Sequence, residues 1–308
     1  MELRGARIAV TGATGFLGRY LVDALLAHGA RVIGVVRNPG RVPELLALGI
    51  EMRQADLAAP EALARGFAGA DAVVANAALF SLRNRRWDDH VRCNIEGTRN
   101  VFAAAVAAGV RRLVQVSSVA VYGFPHWRRL DEDHPLLDAG VRPLPWNVYA
   151  LSKALAERLA WQLAAEHDLA LTTVRPATIY GAFDPNFIPV FRRLATPPLT
   201  VMPACFTLSF VYAADVAEAI ACALERTTAI GRAYNLAGPS ETVWDFVRAW
   251  RAAGGRASRW MLPLPVPLAL RFDTRRARCD LDFVPRALVD GLRDTFARER
   301  ASRPIPPP

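Results

Sequence analysis

Residues 1–120 alternate short runs of β-branched side chains with longer stretches rich in Ala and Leu. These segments predict strands at 7–10, 31–36, 51–54, 72–75 and 112–116, with helices at 16–28, 60–67 and 87–108. Strands that alternate with helices form a parallel sheet covered by helices on both faces, so an α/β fold with a doubly wound sheet is expected. Ligands of such sheets bind at the carboxyl ends of the strands. The residues that follow each strand are therefore the functional candidates.

A glycine-rich loop follows the first predicted strand and precedes the first predicted helix, at residues 11–18. Glycines at this spacing permit a tight turn, let the backbone approach a pyrophosphate and let the helix pack closely on the strand. The helix N-terminus supplies N–H donors to the anion. The loop is therefore interpreted as a dinucleotide-binding loop. Its candidate cofactor contacts are Gly12, Thr14, Gly15, Phe16, Leu17 and Gly18.

The second predicted strand is followed by Arg37 rather than by an acidic residue. An acidic residue at this place binds the ribose hydroxyls of NAD, whereas an arginine can hold the 2′-phosphate of NADP with two hydrogen bonds. The sequence therefore favours NADP, with NAD as the alternative. The predicted groove is completed by residues that follow the third and fourth strands, namely Asp56, Leu57, Asn76, Ala77 and Ala78.

Only one of the 38 basic residues, Lys153, is a lysine. Tyr149 lies four residues before it, and on a helix this spacing places two side chains on one face. A phenol titrates near pH 10, too high for a base at neutral pH, and a neighbouring ammonium favours the phenolate. Ser118 follows the fifth strand, where its hydroxyl can donate to a substrate oxygen. These three residues are the candidate catalytic group.

Charge and cysteine content argue against several other functions. The net charge is +9, but the arginines are dispersed as short pairs, so no nucleic-acid partner is expected. The four cysteines include no CxxC pair, and neither a metal site nor a disulfide framework is expected. No apolar leader follows Met1, and the apolar stretch at 260–270 is too short to span a bilayer. A soluble, cytoplasmic protein without a membrane partner is therefore expected.

The series of motifs resembles the extended short-chain dehydrogenase/reductase family, which includes nucleotide-sugar epimerases, 3β-hydroxysteroid dehydrogenases and dihydroflavonol reductases. The matching segments are TGATGFLG at 11–18, DL at 56–57, NAA at 76–78, NIEGT at 94–98, VSSVAVYG at 116–123, YALSK at 149–153, VRPATIYG at 174–181, FVYAADVAEA at 210–219 and YNLAG at 234–238. The resemblance implies a Rossmann-type sheet with a smaller C-terminal α/β domain that binds the substrate.

The resemblance also implies a role for each candidate. Tyr149 would be the catalytic acid/base, and Ser118 would orient the substrate oxygen. Lys153 would bind the nicotinamide ribose and lower the pKa of Tyr149. Asn94 would support the site from a helix, and Pro176 and Ile179 would lie against the nicotinamide. The tyrosine would exchange a proton with a carbinol or carbonyl oxygen while the nicotinamide exchanges a hydride.

Departures from the family pattern reduce the number of reactions that the sequence is expected to support. Sugar 4,6-dehydratases carry Thr-Asp-Glu where this chain has Ser-Val-Ala at 118–120, so dehydration is not expected. The leading hypothesis is an NADP-dependent oxidoreductase acting on a secondary alcohol or ketone. Segments 182–209 and 239–276 are rich in Phe, Trp, Leu and Pro, which suits a bulky, partly apolar small-molecule substrate or simply the core of a small domain. The alternatives are a nucleotide-sugar epimerase or reductase and a non-catalytic NADP-binding regulatory protein.

The domain organisation follows from the same motifs. Residues 1–178 and 210–236 are predicted to form the dinucleotide-binding domain, and residues 179–209 and 237–300 the substrate-binding domain, followed by a flexible tail at 301–308. The helices at 87–108 and 147–166 carry Ala, Leu and Val faces of the kind that pair two subunits in this family. A homodimer is therefore expected.

Overall fold

The structure is a computed structural model that describes residues 1–81, 84–123, 128–194, 197–203, 206–264 and 269–301. Most of the predicted tail, residues 302–308, lies outside the described residues. Within the described ranges, no helix combines the length and apolar character needed to cross a bilayer. The same part of the chain holds no group of three His, Cys, Asp or Glu side chains that could bind a metal ion.

Strands and helices alternate along the chain. The strands are β1 (Arg7–Thr11), β2 (Arg31–Val36), β3 (Glu51–Gln54), β4 (Ala72–Ala75), β5 (Arg112–Val116), β6 (Arg129–Leu130), β7 (Ala170–Pro176), β8 (Thr178–Tyr180), β9 (Leu199–Met202), β10 (Thr207–Tyr212), β11 (Ala233–Leu236), β12 (Ser240–Thr242), β13 (Trp260–Pro263) and β14 (Arg271–Phe272). The α-helices are α1 (Phe16–Ala27), α2 (Pro43–Ala47), α3 (Pro60–Phe67), α4 (Trp87–His90), α5 (Gly97–Ala107), α6 (Val148–Glu166), α7 (Phe187–Leu194), α8 (Ala213–Glu225), α9 (Val243–Ala252), α10 (Arg275–Leu281) and α11 (Leu288–Ala301). Short 3-10 helices span Pro39–Arg41, Val119–Tyr122 and Thr227–Ala229, and a π-helix spans Val91–Glu96.

The main sheet has seven strands in the order β11-β7-β5-β4-β1-β2-β3, and all neighbours are parallel. The chain begins at β1, runs outward to β3 and then returns to the other side of β1 with β4. This reversal opens a crevice at the carboxyl ends of β1 and β4, where ligands of such sheets bind. The predicted Rossmann-type α/β fold is confirmed.

Helices cover both faces of the sheet because successive strand residues point to opposite sides. In β1, Ile8 and Val10 belong to one buried apolar cluster and Ala9 to another. The first cluster lies under α1 and α8, which pack on each other, and the second lies under α3, α5 and α6. The candidate catalytic helix α6 thus packs on the sheet through the second apolar cluster.

The second half of the chain adds smaller sheets beside the main one. Strand β10 pairs with β8 and β12, β9 pairs with β13, and β6 pairs with β14. An aromatic cluster lies between α7 and α9, where Phe191 is 4.6 Å from Phe246 and 5.0 Å from Trp250, measured between ring centroids. All three rings are buried. These aromatic residues therefore form core, and they do not supply the apolar ligand wall that the sequence left open.

Candidate active site

The glycine-rich loop turns sharply between β1 and α1. Gly12 has a φ of +69°, a left-handed conformation that favours glycine. A Cβ on Gly12 would lie 3.1 Å from Cα and Cβ of Ala77, and a Cβ on Gly18 would lie 2.2 Å from the carbonyl oxygen of Gly12. A side chain at Gly18 would clash with the backbone, and one at Gly12 would crowd Ala77 in a strained backbone conformation. The resulting bare backbone at the start of α1 fits a pyrophosphate group.

The other loop residues differ in exposure. Gly15 is exposed, while Thr14 and Phe16 are half-buried at the beginning of α1. The side chain of Leu17 is 7% exposed and belongs to the core. Leu17 can therefore offer a cofactor only its backbone, whereas Thr14 and Phe16 can offer side chains as well.

Thr11, which was not predicted as a site residue, joins the loop to the segment after β4. Its Oγ1 accepts hydrogen bonds from the backbone N–H groups of Asn76 and Ala77, each at 3.0 Å. Nδ2 of Asn76 donates to the carbonyl oxygens of Thr11 at 3.3 Å and Gly12 at 3.4 Å. Ala77 and Ala78 line the same small cavity as Thr11. The structure thus brings the predicted loop after β4 directly beside the glycine loop.

Three predicted cofactor-binding residues, Arg37, Asp56 and Leu57, follow β2 and β3. Arg37 is exposed, and Nε2 of Gln54 fixes its backbone by donating to its carbonyl oxygen at 3.0 Å. Asp56 accepts a hydrogen bond from the N–H of Ala58 at 2.9 Å. Leu57 faces α5, where a Cβ on Gly97 would lie 3.1 Å from its Cδ1. All three lie at the carboxyl edge of the sheet.

The candidate catalytic residues meet at the end of β5. Tyr149, in the first turn of α6, lies near the side chain of Ser118, which lowers its pKa and caps the 3-10 helix after β5 by accepting from the N–H of Ala120. Lys153 is buried one turn further along α6, and its Nζ donates to the carbonyl oxygen of Val116 at 2.7 Å. Lys153 also lines the cavity that contains Thr11. Lys153 therefore lies near Thr11, the residue that precedes the glycines of the loop.

Burial shifts the pKa of both catalytic candidates on α6. It raises the pKa of Tyr149 to about 12, although the side chain of Ser118 acts in the opposite direction. It lowers the pKa of Lys153 to about 8, although the charge of Glu157 opposes this shift. The lowering of the tyrosine pKa by the lysine stays a prediction, and burial acts against it. At neutral pH the phenol is protonated and the ammonium is charged.

Asn94 supports this arrangement from an irregular helix. The predicted helix at 87–108 is divided into α4, the π-helix Val91–Glu96 and α5, and such π segments are frequent at functional sites. Oδ1 of Asn94 accepts from the N–H of Leu79 at 2.7 Å, and its Nδ2 donates to Oγ of Ser152 at 2.9 Å. Ser152 in turn donates to the carbonyl oxygen of Tyr149 at 2.9 Å. Asn94 therefore ties α6 to the segment after β4.

Pro176 and Ile179 follow the neighbouring strand. Pro176 ends β7 and is buried, and Ile179 is half-buried in β8. Between them, the N–H of Ala177 donates to the carbonyl oxygen of Leu236 at 2.9 Å. Because β7 pairs with β5, these residues lie on the same edge of the sheet as Ser118.

A buried ion pair behind the site was missed by the sequence analysis. Nη2 of Arg175 lies 2.6 Å from Oε1 of Glu157, and Nη1 of Arg175 donates to the hydroxyl of Tyr122 at 2.7 Å. The Tyr122 hydroxyl donates to Oδ1 of Asn235 at 2.8 Å. The signal in the sequence was a glutamate four residues after Lys153 inside an apolar helix. A charge at such a position is retained only when it has a partner.

Known proteins share both sequence and fold with this chain. Residues 8–237 match the sequence model of the NAD dependent epimerase/dehydratase family. A 4-hydroxy-2-methyl-3-oxo-4-farnesyl-3,4-dihydroquinoline-1-oxide ketoreductase of Stigmatella aurantiaca is 39% identical over 185 residues, which are 59% of this chain and 53% of that protein. A 2-alkyl-3-oxoalkanoate reductase of Stenotrophomonas maltophilia is 35% identical over 190 residues, 59% of this chain and 54% of that protein. The chain thus spans about half the length of these curated relatives.

Solved structures extend the likeness to nearly the whole chain. The structure of MoeE5 in complex with UDP-glucose and NAD has a TM-score of 0.78 at 27% sequence identity. The superposition covers 96% of this chain and 99% of that chain. The arrangement of strands and helices is therefore shared from the glycine loop to the C-terminal helices.

Proposed function

The chain belongs to the NAD dependent epimerase/dehydratase family, and from this premise we propose that it is an NADP-dependent reductase of a bulky, partly apolar ketone. This proposal extends the resemblance to extended short-chain dehydrogenases/reductases, which the family match confirms. In it, Ser118, Tyr149 and Lys153 form the catalytic group. The cofactor and the substrate are small molecules, and the chain needs no metal for this chemistry.

The observation that carries the proposal is the meeting of α6 with the end of β5, where Nζ of Lys153 donates to the carbonyl oxygen of Val116 and Tyr149 lies one turn earlier, close enough to Ser118 for that side chain to lower its pKa. Because burial raises the pKa of Tyr149 to about 12, its hydroxyl is protonated at neutral pH. Reduction of a ketone requires a proton for the carbonyl oxygen, and Tyr149 is placed to give it. The Ser118 hydroxyl would donate a hydrogen bond to the same oxygen and hold it in position.

The cofactor would be held by the glycine loop and by the residues that follow β2, β3 and β4. Gly12 and Gly18 leave the backbone at the start of α1 open to a pyrophosphate, and the exposed guanidinium of Arg37 suits a 2′-phosphate. When bound, the nicotinamide supplies the hydride that a ketone reduction needs. Lys153, with its ammonium facing the end of β5, would bind the ribose hydroxyls and add positive charge near the phenol.

An apolar ketone is favoured by the environment of Tyr149. The ring of Phe80 lies 4.7 Å from the ring of Tyr149, measured between centroids, and 47% of Phe80 remains exposed. An exposed aromatic ring beside the proton donor offers an apolar contact to a substrate. The two curated relatives are named for substrates that combine an oxo group with a farnesyl or alkyl group. We propose the same class of substrate for this chain.

The test is turnover of NADPH with a panel of ketones that includes 2-alkyl-3-oxoalkanoates. We expect the absorbance of the reduced nicotinamide to fall with at least one apolar ketone. Tyr149→Phe removes the proton donor and should lower kcat by about 10²- to 10⁴-fold while NADPH binding is kept. Tyr234→Phe is the matched control, because its hydroxyl contacts Asp280 away from the site. Persistent absorbance with every ketone would contradict a reductase and leave a non-catalytic NADP-binding protein.

A nucleotide-sugar epimerase is the second candidate. It is favoured by the likeness to MoeE5, whose structure holds UDP-glucose and NAD. Epimerisation would require a nicotinamide that stays bound between turnovers. The purified protein would then release NAD on denaturation and would interconvert UDP-glucose with its epimer. Purification without nucleotide, together with NADPH-dependent ketone reduction, would exclude this candidate.

We propose that the chain folds as two lobes, with residues 1–178 and 210–236 binding the dinucleotide and residues 179–209 and 237–300 binding the substrate. The proposal is supported by the return of β11 to the edge of the main sheet beside β7. It is also supported by α8, which packs on α1. Substitutions in the second lobe would then change KM for the ketone more than the dissociation constant of NADPH.

A further inference from the structure

Two consecutive residues at the end of β5, Val116 and Ser117, are hydrogen-bonded to successive turns of α6. The carbonyl oxygen of Val116 accepts from Nζ of Lys153 at 2.7 Å. Oγ of Ser117 donates to Oε2 of Glu157 at 2.6 Å. The side chain of Ser118 lies close enough to Tyr149 to lower its pKa. Any slip of α6 along the strand would break both hydrogen bonds, so together they set the register of the helix on the sheet.

Glu157 is the most firmly held of these helix residues. Its side chain is fully buried, and Oε1 lies 2.6 Å from Nη2 and 3.0 Å from Nε of Arg175 on β7. Arg175 is itself fixed, because its Nη1 donates to the hydroxyl of Tyr122 and, at 2.9 Å, to the carbonyl oxygen of Glu132. The carboxylate therefore cannot follow a moving helix. It anchors α6 at a point one turn beyond Lys153.

We propose that Glu157 is a positioning residue that keeps the Lys153 ammonium charged and fixed at the end of β5, without touching substrate or cofactor. The proposal rests on the proposed function only in assigning catalytic work to Lys153. Its physical basis is independent of any reaction. A lysine buried among apolar groups tends to lose its proton, and a carboxylate one helical turn away opposes that loss.

The charges around Lys153 show why this carboxylate matters. On α6, its titratable neighbours are Tyr149 and Glu157, and on α4 the ring of His90 lies 6.4 Å from the ring of Tyr149. Arg175 on β7 faces Glu157 rather than the lysine. Burial lowers the pKa of Lys153 to about 8, and the charge of Glu157 raises it. Without the carboxylate, the ammonium would lose its proton at a lower pH.

The single lysine makes the proposal directly measurable. Protein labelled with 13C at the lysine ε-carbon gives one lysine side-chain resonance, because Lys153 is the only lysine. Its chemical shift, followed against pH without substrate or cofactor, reports the pKa of Lys153. We expect Glu157→Gln to lower this pKa by about one pH unit. Glu157→Asp keeps the charge and should restore most of the difference. An unchanged pKa in the Gln variant would overturn the proposal.

A folding control accompanies the titration, because Glu157→Gln leaves Arg175 buried with a weaker partner. If thermal unfolding shows that this variant does not fold, the titration is made on Glu157→Gln/Arg175→Gln, which removes both charges. A lower Lys153 pKa than in Arg175→Gln alone is expected there, because that comparison removes only the carboxylate, and an equal pKa overturns the proposal. In an active enzyme, the basic limb of the pH profile of kcat would move to lower pH by the same amount as the Lys153 pKa measured from the resonance. If no ketone of the panel is reduced, the resonance titration can still be measured. The reductase proposal and the proposal for Glu157 can therefore be contradicted independently.

Discussion

The pKa values of Tyr149 and Lys153 show how strongly burial shapes single residues at this site. Sequence spacing alone suggested that the ammonium would make the phenol more acidic. In the structure, the phenol pKa is raised to about 12 and the ammonium donates to the carbonyl oxygen of Val116. A phenol that keeps its proton suits the direction of reduction, since the proton is ready for the carbonyl oxygen. Desolvation depends on the packed structure, so no pattern in the sequence could give its magnitude.

Arg37 is predicted to set the choice of cofactor. Its guanidinium is exposed beside the end of β2, and a charge-assisted bond to a 2′-phosphate is worth about 1.5–3 kcal/mol. Arg37→Ser should weaken NADPH binding by about 10- to 100-fold and leave NADH binding nearly unchanged, as measured by fluorescence titration with each nucleotide. Arg31→Ser is the matched control, because Arg31 is exposed at the opposite end of the same strand. Equal losses for the two nucleotides would contradict a role in recognising the phosphate.

Other site residues differ in how far they could be predicted. The glycines, Asn76 and Ala77 were predictable, because each follows a strand and serves a backbone function that the motif encodes. Glu157 and Arg175 were not, although Glu157 belongs to the predicted helix at 147–166 and Arg175 to the motif at 174–181. Their pairing joins residues on two elements, and its meaning depends on which faces of α6 and β7 meet in space. Periodicity marks both as buried charges but does not identify the partner.

At the scale of elements, the contact between the glycine loop and α1 is predicted to tolerate no added methyl group at Gly18. A Cβ there would lie 2.2 Å from the carbonyl oxygen of Gly12, so α1 would have to move away from β1. Gly18→Ala should lower the free energy of unfolding by about 1–3 kcal/mol and abolish NADPH binding. Chemical denaturation and nucleotide titration measure the two effects. Gly40→Ala is the control, since its nearest atom would be 3.8 Å away, and an equal loss there would refute the steric argument.

The helix at 87–108 shows what local patterns miss at the element scale. The sequence predicted one regular helix, and the structure contains a π segment from Val91 to Glu96 within it. The extra residue in that turn changes the direction of the following side chains. Asn94 is thereby able to reach both Leu79 and Ser152. A hydrophobic repeat specifies that a helix forms, but the irregular turn depends on tertiary hydrogen bonds to distant segments.

At the scale of the whole molecule, the two halves of the chain differ in predictability. In the first half, strands alternate with helices, and the pairing order follows from the general rules of parallel sheets. In the second half, β9 pairs with β13 and β6 pairs with β14 across long stretches of sequence. Each of these pairs is short, and no local signal connects its members. The sequence therefore did not decide whether the aromatic residues of segments 182–209 and 239–276 form a ligand-binding wall or a core. In the structure, Phe191, Phe246 and Trp250 are buried in the core.

Subunit pairing is the remaining prediction for the whole molecule. Ala103, Val106 and Ala107 on α5 are exposed, and Leu155 and Leu159 on the adjacent α6 are only half-buried. A face of small and apolar side chains allows two helix pairs to approach closely, so we predict a homodimer through α5 and α6. Light scattering should give twice the chain mass of 33.7 kDa for the wild type and the single mass for Ala103→Arg. Ala252→Arg, at an exposed position that ends α9, should remain a dimer. A wild-type mass of 33.7 kDa at micromolar concentration would refute the pairing, and dissociation by both variants would place the interface elsewhere.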